Sequence, residues 1–188
     1  MARLRSRLTA LAAIAALAVC VAAVALANTK TIKDPQDTKG LIDIKSASAG
    51  HAKKGKLKHV IVFYADVPSR GETGNEYLEM WKKKPHALPG VPGAFQEAPY
   101  KVQMPQSGKR PVFMGGEEGT PITKTGTARV TRKGNKLTIV FSKKAIGKPK
   151  NAYWWHVESD YYGPESQCPG GPCTDHAPNG SVAVKHKL

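Results

Sequence analysis

Lys56-Leu-Lys-His-Val-Ile-Val-Phe-Tyr-Ala-Asp66 is the stretch on which the fold class turns. Leu57, His59, Ile61, Phe63 and Ala65 fall on one face of an extended chain, and Lys58, Val60, Val62 and Tyr64 on the other. That period of two belongs to a strand and not to a helix. Both faces are apolar at the middle of the run, which predicts a central strand covered on both sides. Further β-compatible runs lie at residues 41–49, 76–83, 100–104, 111–114, 126–132, 136–142, 152–161 and 181–187. Breakers separate them. Lys133-Gly134-Asn135 sits between two β-branched runs and reads as a hairpin turn. One helical turn is expected, after Ser142 as N-cap and stopped by Gly147. Residues 84–99 hold Pro85, Pro89, Pro92 and Pro99 and read as a surface excursion. Nine short strands without an internal repeat predict an all-β domain, an antiparallel two-sheet β-sandwich of jelly-roll-like form.

The ends of the chain differ in kind. Arg3, Arg5 and Arg7 precede an Ala/Leu/Val run that closes in Ala25-Leu26-Ala27, so residues 1–27 read as a secretory signal peptide. Residues 28–40 form a polar arm and residues 41–188 the sandwich domain. The chain has 188 residues, 29 Lys and Arg, 14 Asp and Glu, and a formal charge of +15. Losing the three signal arginines leaves 26 basic against 14 acidic side chains, a net +12. The expected product is basic and secreted, extracellular or held in the cell envelope, with no transmembrane helix in the mature chain. Its surplus is lysine, 22 against 4 Arg after the signal. Arginine dominates base reading and bidentate phosphate binding, so this balance argues for loose attraction to anionic polymers and against specific nucleic-acid recognition.

Cys20 lies inside the apolar run and leaves with the signal unless Leu17-Ala18-Val19-Cys20 serves as a lipidation site. Cys168 and Cys173 bracket Pro-Gly-Gly-Pro, and in an oxidising compartment they are expected to form a local disulfide. A redox C-x-x-C or a paired zinc motif is not present in the sequence.

Two groups of side chains point to chemistry. Asp34, Asp37 and Asp43, joined by Asp175 if the chain ends meet, are hard oxygen donors of the kind Ca²⁺ takes. The alternative is that they cap turns and face solvent, with Lys33, Lys39 or Lys45 balancing their charge. Tyr153, Trp154, Trp155, Tyr161 and Tyr162 crowd one strand and its exit, and Trp81 precedes Lys82-Lys83-Lys84. A strand sends neighbours to opposite faces, so either one of Trp154 and Trp155 is an exposed platform or both are packed beneath a covering segment. His51, His59, His86, His156, His176 and His186 show no paired spacing, and no nucleophile elbow or phosphate loop occurs. No catalytic residue is expected.

Asp34-Pro35-Gln36-Asp37 leading into Leu41-Ile42-Asp43-Ile44, Leu137 to Phe141 leading into Ala145-Ile146-Gly147-Lys148-Pro149, an aromatic strand, and Asp175-His176-Ala177-Pro178-Asn179 before the last strand follow one another in order. This layout resembles exported bacterial β-sandwich domains related to DOMON and xylanase-type carbohydrate-binding modules. The resemblance implies a sandwich whose N-terminal loop holds a structural Ca²⁺. The function expected is a non-catalytic module that binds an extracellular carbohydrate or anionic cell-wall polymer through Trp81, Trp154, Trp155, Tyr161 and Tyr162. An envelope structural or protein-interaction domain is the alternative, and a small secreted hydrolase a further one.

Overall fold

The structure, a computed structural model, describes residues 29–38, 43–66, 74–87, 98–104, 112–115, 123–161, 173–180 and 182–188. In chain order the described strands are β1 (Lys30–Lys33), β2 (Ile44–Ala52), β3 (Lys56–Phe63), β4 (Gly74–Trp81), β5 (Tyr100–Met104), β6 (Val112–Gly115), β7 (Thr123–Thr127), β8 (Arg129–Lys133), β9 (Lys136–Phe141), β10 (Ala152–Tyr161), β11 (Cys173–Ala177) and β12 (Val184–Lys187). They form two packed antiparallel sheets, and the chain is an all-β two-sheet sandwich. The first sheet runs β1-β2-β3-β9-β8. The second runs β11-β10-β4-β5-β6-β7, with β12 on β10 beside β11. β12 covers Ala152 to Trp155 and β11 covers Val157 to Tyr161, so the longest strand has its edge paired by two short ones in succession.

The deciding stretch behaves as a half-buried strand. In β3, Leu57, His59, Ile61 and Phe63 are buried while Lys56 and Lys58 are exposed and Val60 and Val62 half-buried. β3 is central in its sheet, between β2 and β9. Among the described residues no strand layer lies over its outer face, and its outward Val60 and Val62 are half-buried, packing across neighbouring strands. β9 repeats the pattern with Leu137, Ile139 and Phe141 inward. From the second sheet Leu78, Met80, Val102, Tyr153, Trp155 and Val157 meet them. Trp155 is 0% exposed, and truncating so large a core side chain to Ala costs about 3–5 kcal/mol.

Beyond shifts of two or three residues at strand ends, three elements differ from the sequence reading. The polar arm at residues 28–40 contributes β1, an edge strand whose Lys30, Thr31 and Lys33 are exposed and whose pairing with β2 is made by backbone, which hydropathy does not register. The run at 126–132 is two strands, because the chain leaves the second sheet at Thr127 and enters the first at Arg129. β11 follows the Pro/Gly-rich sequence at residues 163–172, whose breakers conceal the start of a strand. Its Asp175 is buried and so breaks the apolar alternation.

Local signals held where a specific backbone conformation was required. β8 and β9 are joined at Gly134-Asn135, with Gly134 at φ +53°, and Asn135 clasps the end of β3 by donating Nδ2 to Phe63 O (2.8 Å) and accepting from Phe63 N (2.9 Å). Lys143–Ile146 is a single 3-10 turn. The Ser142 side chain accepts from Lys144 N, and Gly147 closes the turn at φ +69°. A Cβ at Gly147 would run into the Tyr100 hydroxyl. Gly147→Ala therefore meets both a left-handed backbone and a clash, and it is expected to lower unfolding stability by more than about 1 kcal/mol in a urea titration. A variant as stable as the parent would show that the close approach of Gly147 to Tyr100 does not support the fold.

Candidate metal centre

Asp34 leaves β1 and Asp43 enters β2. Two backbone bonds, Asp34 N to Lys45 O (3.0 Å) and Tyr64 N to Asp43 O (2.9 Å), hold both residues against the first sheet. The Tyr64 hydroxyl adds a bond to Asp34 O at 3.0 Å. A bulge between Ile44 and Ser46 re-aims the start of β2. Asp175 comes from β11 in the other sheet. Its Oδ2 accepts the amide of Ile44 and its Oδ1 the amide of His176 (2.8 Å), so this carboxylate stitches one sheet to the other. Asp37 lies on the connecting loop, where Asn179 donates Nδ2 to its Oδ2 at 2.6 Å.

The four carboxylates meet. One oxygen from each of Asp34, Asp37, Asp43 and Asp175 lies within 4.8 Å of all the others. Asp34, Asp43 and Asp175 are 3–4% exposed, whereas Asp37 is open to solvent. Asp34 Oδ2 and both oxygens of Asp43 have no hydrogen-bond partner. Burial, and then the charges of Asp175 and Asp37, push the Asp34 carboxyl up to about 7 and that of Asp43 to about 6. Buried carboxylate oxygens left bare in this way are costly unless a cation completes them. Calcium bonds oxygen at about 2.3–2.6 Å, so oxygens on opposite sides of one ion stand up to roughly 5 Å apart, and the spacing of this group fits.

Lysine neutralisation fits less well. Among the described residues no salt bridge joins Lys33 or Lys45 to the group; both side chains are exposed, and Lys45 Nζ lies 5.6 Å from the centre of the Tyr64 ring. Lys39 lies outside the described residues. Those residues fit Ca²⁺, and they would hold it by three buried carboxylates and one exposed one.

The aromatic residues separate by face. Trp155 points inward, its ring edge-on to His59 at 5.1 Å, and Tyr161 packs against the same core. Neither can serve as a platform, because alternate positions of β10 turn toward the first sheet. Trp154 points the other way and is half-buried, paired in register with Trp81 and covered by Lys185 Nζ at 5.3 Å. Trp81 is 5% exposed and offers little free surface. Tyr162 and Cys168 lie outside the described residues. Only Trp154 of the described aromatic set keeps a partly open outward ring.

Pairings that spacing could not reveal involve the histidines. His59 is fully buried, with Nε2 2.7 Å from the Tyr153 hydroxyl, and desolvation followed by the nearby His186 holds it neutral, down to about 3. His156 and His176 meet across β10 and β11. The only sequence trace of these contacts is that His59 and His156 each lie within a strand run. Comparison with known proteins found no matching family model and no matching curated protein.

Because the Asp34 and Asp43 pKa values are raised, the stability these groups lend the apo protein is fully present below their ordinary value near 3.8 and is lost as pH rises through 6 to 7. Calcium competes with those protons. At pH 7.5, calcium at a hundred times its Kd is expected to raise the melting temperature by roughly 5–10 °C, and the gain should shrink toward zero near pH 5. Asp43→Asn should abolish the gain while leaving the metal-free midpoint unchanged or higher. Equal midpoints in calcium and in chelator at pH 7.5 would mean that no ion resides here.

Proposed function

We propose that this chain is an exported, non-catalytic binding module for an extracellular carbohydrate or anionic wall polymer, with a structural Ca²⁺ locking the two sheets together at one end. The observation that carries the binding role is Trp154, a half-buried outward ring with the flexible side chain of Lys185 over its face and, across the register, Trp81 with exposed Lys82, Lys83 and Lys84 beside it. A flat aromatic face with a cationic rim suits a sugar ring that bears or neighbours an acidic group. The export signal, the +12 charge and a Cys168–Cys173 bond closing its loop belong to the same reading. Among the described residues the exposed large apolar side chains are Tyr64 and Val182, which make no contiguous patch of the kind a protein-interaction surface uses.

Binding to an acidic polysaccharide tests it. Screening shortens from about 10 Å at 0.1 M salt to about 3 Å at 1 M, so affinity is expected to fall at least tenfold across that range. Trp154→Ala should cost roughly tenfold more at fixed salt while leaving the melting temperature close to that of the parent. Affinity that is unchanged by salt and by Trp154→Ala would contradict the proposal.

A further inference from the structure

The outer face of the second sheet brings together two histidines twenty positions apart. His156 Nε2 and His176 Nδ1 are 3.1 Å apart, and Glu158, which faces His176 across the strand pair, has Oε2 3.9 Å from the same Nδ1. We propose that His156, His176 and Glu158 form a second metal site, separate in chemistry from the aspartate group, that takes a zinc ion with one position left to water.

Ligand type comes first. Two imidazoles and one carboxylate suit zinc and its neighbours in the first transition row, whereas calcium demands an all-oxygen shell. Geometry agrees. Two nitrogens bonded to one tetrahedral zinc at about 2.0–2.1 Å stand roughly 3.3 Å apart, close to the separation seen. His156 is also oriented in the manner of a ligand. Its Nδ1 lies 3.4 Å from Val182 O, and since a carbonyl can only accept, Nδ1 carries the proton and Nε2 presents its lone pair to His176. Without metal, His176 Nδ1–H donates to that lone pair; when zinc takes Nδ1, the proton passes through solvent to His176 Nε2, so both ligands stay neutral imidazoles and no net proton is lost from the pair.

Placement and charge complete the case. His156 is fully buried, while the side chains of His176 and Glu158 are 23% and 27% exposed, so the site has a fixed floor and an entry side. Glu79, opposite His156 in register, and Asp160 add negative charge around it, with Lys101 bonded to Glu79 at 2.8 Å. Among the described residues the aspartates are the group of three or more ligand atoms that converge within 4.8 Å. Glu158 Oε2 stands near His176 but not within 4.8 Å of both histidine nitrogens, so binding of the ion requires the Glu158 side chain to turn toward His156.

Isothermal titration of the purified protein with Zn²⁺, in saturating calcium so that the aspartates are occupied, tests the site. The expected result is one zinc per chain, with the imidazole NMR signals of His156 and His176 shifted together. His176→Gln should weaken binding at least tenfold, and His51→Gln, which alters the separate His51–His186 ring pair, should leave it unchanged. If His176→Gln does not fold, Glu158→Gln replaces it with the same expectation. No zinc uptake by the parent, equal affinity in His176→Gln or its replacement, or loss of binding in His51→Gln would overturn the proposal.

Discussion

Asp175 is a buried carboxylate that accepts the amide of Ile44 from the opposite sheet, and the architecture at this end of the sandwich follows from it. Two sheets packed only through apolar side chains can slide, since burial is non-directional. A charge-assisted hydrogen bond from β11 to the first residue of β2 fixes their relative register, because a buried acceptor that loses its donor is costly. The same carboxylate lies within a few ångströms of Asp34 and Asp43, which backbone bonds hold against the first sheet, and there the arrangement acquires its conflict. Three almost fully buried acids cannot all stay ionised without a counter-charge. A calcium ion held by the group, as proposed, would resolve the conflict and add a second fastening between the sheets.

β10 and β11 connect this corner to the rest of the molecule. Their inward residues supply Trp155, Val157 and Asp175 to the core and the clasp, while their outward residues supply Trp154, Glu158 and His176 to the opposite surface. One strand pair thus sets the position of Asp175 in the carboxylate group, of the histidine pair and of the aromatic face proposed to meet polymer. Period-two alternation is the physical reason: each step along the strand moves a side chain from the interior chemistry to the exterior chemistry.

Legibility in the sequence followed the same physics. β3, β5 and β10 could be read because apolar alternation is dense there, and the turns at Gly134 and Gly147 because a left-handed backbone selects glycine. β1 and β11 could not. One is held by backbone pairing beneath lysines, and the other carries a buried Asp where alternation calls for an apolar residue. Asp34, Asp37, Asp43 and Asp175 could be named as one group since hard donors at both chain ends suggested it, and the sandwich brings them together. The split between Trp154 and Trp155 was posed by alternation but decided by register, which depends on long-range pairing. The His156–His176 contact arises from β10–β11 pairing, and no local spacing encodes it.

The central claim is that a cation, and not a lysine or a proton, balances the four carboxylates. A crystal structure of protein prepared in calcium at pH 7.5, compared with crystals soaked in chelator, addresses it directly. The account predicts one ion in the calcium form bonded at about 2.3–2.6 Å to Asp34, Asp37, Asp43 and Asp175, and lost from the chelated form. Identical density in both crystals, with a lysine ammonium or a water among the four carboxylates, would contradict it.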